Sequence, residues 1–528
     1  MTDRPVSLAE HLVAALAARG VKRIFGIPGG GSSLALIAAA ERAGLDFVLA
    51  RSETAAALMA AVTGELSGAP GVVLTGIGPG AASAVNGIAY AHLERAPVLL
   101  VTDGPAGSFH QAFDQNALYG PITKHQARLT PAGGRAQIEA ALEFALTPPQ
   151  GPVQLDLTAD DAAAPADATP RLSAAPTPAA PDPAPALALL SESRRPLVIA
   201  GLETRLGDGP AALGRLVEAL ACPALVTYRA KGCLPDSHPG AVGLFTGAAG
   251  EAEVLATADL VVAVGLDPVE IIPGPWRAAA PLLELRLAAT PPLPAPAAAR
   301  LVGPLETSVA ALLPGAARSQ WQARDIAALR DKLGRRVALS GAGHTAESVV
   351  RALQAAAPVN CRLTVDSGAH MFSAMTQWRA EQPFDLLKSN GLSTMGFALP
   401  AALAAALHTP ARPVAAAIGD GGLMMCLGEL ATAAEQGCRL VVVVLNDAAL
   451  SLIDIKQQRQ QHKAIGVRTG EIDFAAVATA MGCRAWRVGR GEDLAPAVAA
   501  AFEGDGPALI DVAVDPSGYG DQLISLRG

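Results

Sequence analysis

The chain has few aromatic and few charged residues for its length, and it has no basic blocks. Of its 528 residues, 4% are aromatic and 17% are charged. The net charge of −8 comes from 40 basic and 48 acidic residues, with no run of lysine and arginine. Because nucleic acids and anionic membranes bind concentrated positive charge, neither kind of partner is expected.

Cysteine is scarce, and long apolar runs are missing. The six cysteines, at positions 222, 233, 361, 426, 438 and 483, form no CxxC or Cys/His pair, which indicates buried, reduced thiols in a cytoplasmic protein. The first twenty residues contain acids and a helical period, so no signal peptide is predicted. The longest apolar stretches, such as Met395–Leu407, are too short to span a membrane.

The hydrophobic content of 51% predicts a well-packed globular protein, and the length exceeds that of a single core. Short apolar strand patterns alternate with helical patterns in three separate stretches. We therefore predict the α/β class, with three domains that each contain a doubly wound parallel sheet. The predicted bounds are 1–165, a linker rich in alanine and proline at 166–186, a central domain at 187–318, and a third domain at 326–528.

Glycine loops follow predicted strands at two places that need a separate interpretation. The loops around Gly29–Gly31 and Gly201 each come after a strand, as in nicotinamide-binding proteins. Neither contains the GxGxxG pattern that opens a helix in those proteins. A nicotinamide site is therefore not expected.

The stretch from Gly419 to Asp447 has the pattern of a site for a metal-bound diphosphate. Pro413–Ile418 has strand character, Leu423–Gln436 has helical spacing, and Leu440–Leu445 is a second strand. Gly419, Gly421 and Gly422 allow backbone amides to approach a ligand closely. The alternative is a simple tight turn followed by an ordinary helix.

Two carboxylates follow the two strands of this stretch. Asp420 follows the first and Asp447 the second, so parallel pairing would place both at one edge of the sheet, where α/β proteins bind ligands. Carboxylate oxygens together with phosphate oxygens and water suit Mg²⁺. The alternative for Asp447 is a cap at the strand end.

The spacing of 27 positions between these acids resembles the thiamine diphosphate (ThDP) signature. The resemblance implies that Asp420, Asp447 and the backbone carbonyl of Ala449 bind Mg²⁺. It further implies cofactor contacts from the GDGG loop and from Leu450, Ser451 and Leu452. The chain has Asn446-Asp447 where the family more often has Asn-Asn, which adds a negative charge beside the diphosphate.

Glu53 is the expected catalytic carboxylate of the first domain. It follows a strand at the start of a helix, where a carboxylate commonly only stabilises the helix dipole. In ThDP enzymes a glutamate at this place hydrogen-bonds the aminopyrimidine ring of the cofactor. The same comparison implies cofactor contacts from Gly29, Gly30 and Gly78, and makes Met395 the apolar residue that supports the bent cofactor.

Long stretches outside the linker resemble acetolactate synthases, and most closely the catabolic members that lack FAD. The comparison places Gln111 in the active site near the substrate, with His110 and Phe113 beside it; the alternative is a solvated loop. Met395 could equally be an ordinary core methionine. The stretches that carry this resemblance are RIFGIPGG (23–30), GPGAASAVNGIAYAH (78–92), HQAFDQNALYGPITKH (110–125), TYRAKGCLPDSHPGAVGLF (227–245), VGLDPVE (264–270) and SNGLSTMGFALPAA (389–402).

The resemblance implies decarboxylation of pyruvate or a related 2-oxo acid, followed by ligation of the acyl unit to a second carbonyl. A non-ligating decarboxylase, or a lyase or hydrolase that cleaves a larger diketone, is the first alternative, because Ala448 and Ala449 could widen the pocket. A non-catalytic relative is the second. The family also implies a homodimer or homotetramer with active sites between subunits, and FAD is not expected.

Overall fold

The structure is a computed structural model that describes residues 5–105, 110–166, 182–289 and 291–527. Within these ranges the strands form three six-stranded sheets in which neighbouring strands are parallel. Because parallel neighbours need crossover connections, helices cover both faces of each sheet. The predicted fold class, three doubly wound parallel sheets, is confirmed.

The first sheet has the strand order β2-β1-β3-β4-β6-β5. Its strands are β1 Arg23–Ile27, β2 Asp46–Leu49, β3 Gly71–Thr75, β4 Val98–Asp103, β5 His125–Arg128 and β6 Pro152–Leu157. Its helices are α1 Leu8–Ala18, α2 Ser32–Arg42, α3 Glu53–Ser67, α4 Pro79–Ser83, α5 Val85–Leu93, α6 Gln115–Tyr119, α7 Gly134–Leu146 and α8 Ala159–Ala163.

The central sheet has the order β12-β11-β10-β7-β8-β9. Its strands are β7 Pro196–Ala200, β8 Ala224–Val226, β9 Ala241–Leu244, β10 Leu260–Val264, β11 Leu282–Arg286 and β12 Ala299–Val302. The helices of this segment are α9 Ala184–Glu192, α10 Gly209–Leu220, α11 Ala252–Leu255, α12 Leu305–Leu312 and α13 Ala323–Arg336.

The third sheet, with the order β14-β13-β15-β16-β18-β17, repeats the relative order of the first. Its strands are β13 Arg362–Val365, β14 Leu386–Lys388, β15 Val414–Gly419, β16 Leu440–Asn446, β17 Arg484–Val488 and β18 Ala508–Ala513. Its helices are α14 Ala346–Ala356, α15 Met371–Gln377, α16 Ala398–His408, α17 Asp420–Cys426, α18 Glu429–Glu435, α19 Ser451–Arg459, α20 Phe474–Ala480, α21 Ala495–Glu503 and α22 Tyr519–Arg527.

A shared apolar core joins the first and third sheets. Helix α3 packs against α16 there, and both helices are rich in alanine, so their backbones approach closely. The central sheet has its own core. Ile326, the predicted start of the third domain, lies in this central core as part of α13.

All six cysteines are free and buried, as predicted.

The helix after the GDGG loop differs from the prediction of one helix over Leu423–Gln436. Helix α17 begins at Asp420, and a break at Leu427 and Gly428 separates it from α18. A side chain at Gly428 would meet the Cβ of Arg51 at 2.9 Å, so the chain between α17 and α18 lies in close contact with the first segment.

Another prediction concerns the connection between the first and the central segment. Of the predicted linker at 166–186, residues 167–181 lie outside the described residues. Helix α9 begins at Ala184, two residues before the predicted end of the linker.

Among the described residues, none of the helices has the length and apolar character needed to cross a bilayer.

Candidate active site

Asp420 and Asp447 lie side by side at the carboxyl edge of the third sheet. Strands β15 and β16 pair in parallel with Gly419 opposite Leu445, so the acids that follow them meet at the same level. Asp420 is 4% exposed. The two strands lie beside the point where the strand order reverses, which is where doubly wound sheets bind their ligands.

Each acid has few hydrogen-bond donors. Asp420 accepts a hydrogen bond from the hydroxyl of Thr469 at 2.9 Å. Asp447 accepts from the Ser451 hydroxyl at 2.5 Å and from the Ala449 amide at 3.2 Å. Ala449, the third expected metal ligand, is therefore held next to Asp447. Leu450 precedes helix α19, and Leu452 on that helix packs against the third core.

Burial and mutual repulsion disfavour the charged forms of these two acids. Burial is the main reason that the pKa of Asp447 rises to about 6; the hydrogen bond from the Ser451 hydroxyl lowers this pKa, and the charge of the neighbouring Asp420 raises it. Burial also raises the pKa of Asp420. A cation between the two carboxylates would reverse this effect, because an opposite charge favours ionisation.

Two buried polar atoms near this edge have no hydrogen-bond partner within the described residues. They are the hydroxyl of Ser367 and Nε2 of His370, in the loop that follows β13. His370 is 5% exposed, and burial together with Lys388 lowers its pKa to about 4, so the ring is neutral at pH 7. Buried polar atoms are normally paired. This arrangement fits a cation bound by the two acids and an anion that contacts both this cation and the two unpaired donors.

The three glycines of the loop lie against different neighbours. A side chain at Gly419 would contact the ring of His370 at 3.3 Å. One at Gly421 would meet Leu450 at 2.7 Å and Met395 at 3.5 Å, which places these predicted cofactor residues together. The floor of the site therefore has little room for side chains above Gly421.

Asp366 and Thr469 are parts of the site that sequence reasoning missed. The carboxylate of Asp366 accepts hydrogen bonds from the amides of Gly396 and Phe397, at 3.0 and 2.9 Å, and so fixes the loop that carries Met395. Thr469 lies in a segment that runs antiparallel beside Ala449. Asp366 follows β13 as Asp420 follows β15, and this position was the available signal.

Glu53 is the first residue of α3, as predicted, and its surroundings explain the position. The Ser52 hydroxyl caps the helix by accepting from the Ala55 amide. A buried acid on α18, Glu429, accepts from the amides of Arg51 and Ser52, at 2.8 and 3.2 Å. Glu429 was not foreseen, because only the packing of α18 on α3 gives it this role.

The other predicted residues of the first segment surround the loops at the carboxyl edge of the first sheet. Gly78 has φ +64°, and a side chain there would overlap the backbone oxygen of Gln111. The buried side chain of Gln115 accepts from the Gly78 amide at 2.9 Å, so it ties these loops together. His110 and Gln111 are exposed.

The glycines of the first loop divide into one with a structural role and one with open space. A side chain at Gly29 would overlap the carboxylate of Asp103. A side chain at Gly30 would meet nothing within 4 Å. Packing alone therefore explains Gly29, while Gly30 has room for a ligand.

The structure thus forms two groups of predicted residues. One, at the third sheet, contains Asp420, Asp447, Ala449 and Met395; the other, at the first sheet, contains Glu53. Among the described residues, no hydrogen bond or salt bridge joins Glu53 to either metal-site acid. Nor do these residues contain a group of three or more His, Cys, Asp or Glu side chains placed to hold a metal.

Comparison with known protein families gives three matches along the chain. Residues 6–126 match the N-terminal TPP binding domain of thiamine pyrophosphate enzymes, residues 184–281 the central domain, and residues 366–512 the C-terminal TPP binding domain. The third match contains the two acids and the unpaired donors described above.

Individual relatives match over nearly their whole length. The catabolic acetolactate synthase of Raoultella terrigena is 30% identical, over 96% of this chain and 95% of its own. A probable 2-ketoarginine decarboxylase of Pseudomonas aeruginosa is also 30% identical, over 97% and 94%. A solved thiamine diphosphate-dependent 4-hydroxybenzoylformate decarboxylase of Rhodococcus jostii RHA1 has the same fold, with a TM-score of 0.83 at 22% identity, over 96% of this chain and 99% of its own.

Proposed function

Because this chain belongs to the thiamine pyrophosphate enzymes, in their acetolactate synthase-like group, we propose that it decarboxylates pyruvate or a related 2-oxo acid and ligates the acyl unit to a second carbonyl compound. The observation that carries the proposal is a pair of acids, the buried Asp420 and the partly buried Asp447, beside the unpaired donors of Ser367 and His370. This set fits a diphosphate bound through a cation.

The residues at the third sheet would anchor the cofactor. Asp420, Asp447 and the carbonyl of Ala449 would bind Mg²⁺, and Ser367 and His370 would donate hydrogen bonds to diphosphate oxygens. Gly421 has no side chain to displace Leu450 or Met395, which a Cβ there would meet at 2.7 and 3.5 Å, so both residues would be able to contact the cofactor. Bound thiamine diphosphate supplies the electron sink that decarboxylation of a 2-oxo acid requires.

Glu53 would act from a second copy of the chain. Within one chain it is separate from the metal-site acids, although it begins a helix whose start is fixed by Glu429. Exposed apolar side chains surround both groups: Leu49 and Phe113 near the first, Met424 and Met425 near the second. Their burial in a homodimer would bring Glu53 of one subunit to the cofactor of the other.

The carboxyl edge of the central sheet supports a flavin-free enzyme. Glu203 accepts from the Leu287 amide and lies 3.7 Å from Arg286, and Glu270 accepts from the Leu202 amide. The remaining cavity there is only about 20 Å³. The side chains of this chain therefore occupy the edge where a nucleotide would otherwise bind.

The proposal is tested by incubating the protein with pyruvate, thiamine diphosphate and Mg²⁺ and by analysing the products. Acetolactate is the expected product, and Asp420→Ala should not form it. Acetaldehyde and CO₂ in equal amounts, without acetolactate, would rule out ligation. A lack of turnover with pyruvate and with a panel of longer 2-oxo acids would reject both steps.

A second candidate is a non-ligating decarboxylase that acts on a 2-oxo acid with a polar side chain. Asp454 on α19 is buried; one of its oxygens has no hydrogen-bond partner within the described residues, and the other lies 2.5 Å from the exposed Arg468. A charged pair at this wall suits a polar substrate better than pyruvate. Comparison of pyruvate with 2-ketoarginine and 2-oxoglutarate as substrates distinguishes the two candidates.

A further inference from the structure

A separate cavity lies away from the candidate active site, between the central and third segments. Its volume is about 530 Å³. Its walls are strand β9, the end of helix α13, helix α15 and the last two residues of helix α22. A cavity of this size matches the pockets that hold small organic ligands.

The lining of this cavity is rich in positive charge. Five cationic side chains line it against two acidic ones, Asp236 and Glu251; the cations are Lys231, Arg330, Arg336, Arg379 and Arg527. Since the whole chain has a net charge of −8, this local excess is not a general property of its surface.

Two of the five cations form a salt bridge within the described residues, and a third donates to backbone carbonyls. Lys231 pairs with Asp236 at 2.7 Å, Arg336 pairs with Glu253 at 3.1 Å, and Arg330 donates to backbone carbonyls of residues 238–241. Arg379 and Arg527 form no salt bridge within the described residues. Arg527 lies over the ring of Phe372, which places a guanidinium against an aromatic wall.

Glu251 adds a group that accepts a hydrogen bond from a ligand. It is 4% exposed; its Oε1 accepts from the amide and hydroxyl of Thr246, whereas Oε2 has no partner within the described residues. A buried oxygen without a partner is costly unless a ligand or water satisfies it. A hydroxyl or amino group on a ligand would do so.

We propose that this cavity binds a small organic anion, a carboxylate or phosphate ester with a hydroxyl or amino donor, held by Arg379 and Arg527 and by Glu251. Guanidinium groups form paired, charge-assisted hydrogen bonds with carboxylate and phosphate oxygens. The donor of the ligand faces Oε2 of Glu251, and its carbon skeleton lies on Phe372.

Helix α22 connects this cavity to the active site. Its last residues, Leu526 and Arg527, line the cavity, while Tyr519 at its start is buried near Asp447 and Asp420, which together with burial raise the pKa of its hydroxyl. In between, Gln522 donates to the carbonyl of Val337 at 2.7 Å and to the Ser373 hydroxyl at 3.1 Å. Binding of the anion holds α22 in place and so stabilises the metal-binding edge.

The test is calorimetric titration of the purified, cofactor-free protein with 3-phosphoglycerate and with L-malate at constant ionic strength. Saturable binding of at least one of the two anions is expected, weakened about tenfold or more in Arg379→Gln and in Arg527→Gln. Arg324→Gln, on an exposed face of α13 outside the cavity, should bind as the unmodified protein does. No binding of either anion, or equal binding in all variants, overturns the proposal.

A cavity-filling variant provides a second, steric test. Gly334 lines the cavity on α13, and a side chain there would meet nothing within 4 Å, so Gly334→Phe fills space without a clash at Cβ. Gly214→Phe, on α10 outside the cavity, has equally open surroundings and is the matched control. Loss of anion binding in the first variant only is expected; retained binding overturns the site.

The connection to the active site is read from hydrogen exchange of residues 519–527. The anion should slow exchange of this helix, and it should tighten thiamine diphosphate binding by about fivefold, a typical coupling between two sites. Unchanged exchange with anion bound would overturn the connection. Because both binding and exchange are measured without a 2-oxo acid, failure of the proposed reaction would leave these results interpretable.

Discussion

The first and third sheets have the same strand order, yet their carboxyl edges use the same position differently. Asp103 ends the fourth strand of the first sheet, and Asp447 follows the fourth strand of the third. Asp103 accepts four hydrogen bonds, from the amides of Gly31 and Ser33 and from the hydroxyls of Ser32 and Ser33, at 2.6–3.2 Å. Asp447 accepts two and faces a second carboxylate.

This difference shows that one fold provides two kinds of edge. In a closed edge, hydrogen bonds from the protein satisfy the acid; in an open edge, the acids keep oxygens available for a ligand. The loop at Gly29–Ser33 folds onto Asp103 and satisfies it, so that edge is structural. At the third sheet, Asp420 accepts from one hydroxyl and Asp447 from one hydroxyl and one amide among the described residues, so these acids retain oxygens that can bind a cation. The fold supplies the position, and the few residues around each acid decide whether a ligand binds there.

Removal of an acid from the open edge should have the largest effect. Asp420→Ala should weaken Mg²⁺-dependent binding of thiamine diphosphate by roughly 1,000-fold, about 4 kcal/mol, because a cation contributes several kcal/mol to such a site. The unfolding free energy of the cofactor-free protein should not fall, since repulsion with Asp447 is relieved. Cofactor titration by tryptophan fluorescence and urea unfolding measure the two quantities.

The closed edge supplies the matched control for this variant. Asp103→Ala should lower the unfolding free energy by about 3 kcal/mol, because four donors, three of them buried, lose their acceptor. If instead Asp103→Ala left stability unchanged, or Asp420→Ala destabilised the cofactor-free protein as much as Asp103→Ala does, the two edges would not differ as described.

Glu53 tests a further difference between the two sheets. It would take part in the reaction, whereas the acids of the third sheet would bind the cofactor. Glu53→Gln should lower kcat for 2-oxo acid turnover by roughly 100-fold, the usual contribution of a positioned acid or base. Cofactor affinity should change much less, because the metal-site acids remain. Steady-state kinetics and cofactor titration separate these effects, and Glu41→Gln on the exposed face of α2 is the control. An equal loss in both measurements would instead assign Glu53 to anchoring.

Two neighbouring glycines of the open edge should respond differently to a methyl group. In Gly422→Ala the new Cβ would overlap Oδ2 of Asp366, which two backbone amides hold in place, so we expect a loss of about 2 kcal/mol in unfolding free energy. In Gly421→Ala the Cβ meets the flexible ends of two side chains, Leu450 at 2.7 Å and Met395 at 3.5 Å, so stability should change little. Urea unfolding of both cofactor-free variants measures this; equal values would contradict the packing described.

The sequence predicted the sheets and the position of the acids well, because these depend on local patterns. The apolar runs before Asp420 and Asp447 fixed two parallel strands, and parallel pairing then required the acids to meet. The start of α3 at Glu53 was equally local. The close contact between Gly428 and Arg51 was not local, because these two residues are far apart in the chain.

The missed residues share one property: long-range packing sets their roles. Glu429 acts on the amides of Arg51 and Ser52, and Asp366 acts on those of Gly396 and Phe397. Gly29 shows the opposite case, because a residue that the family resemblance assigned to the cofactor also has a packing reason, the nearby carboxylate of Asp103. Sequence patterns identify acids and glycines at strand ends but not their partners.

The smallest expected effect concerns the pH dependence of the open edge. In the cofactor-free protein the pKa of Asp447 is about 6, against about 3.9 in an unfolded chain. The native state therefore binds a proton that the unfolded state releases, so this group stabilises the native state below about pH 4 and loses that contribution as the pH rises through 6.

Asp447→Asn keeps the shape of the side chain and removes its titratable carboxyl group. After allowance for partial exposure, Asp447→Asn should gain about 1 kcal/mol in unfolding free energy relative to the unmodified protein between pH 5.0 and 7.5. Urea unfolding at several pH values measures this difference. If this difference in unfolding free energy did not change with pH, burial and the neighbouring Asp420 charge would not raise the pKa of Asp447. Asp447 would then not differ in this respect from the fully hydrogen-bonded Asp103.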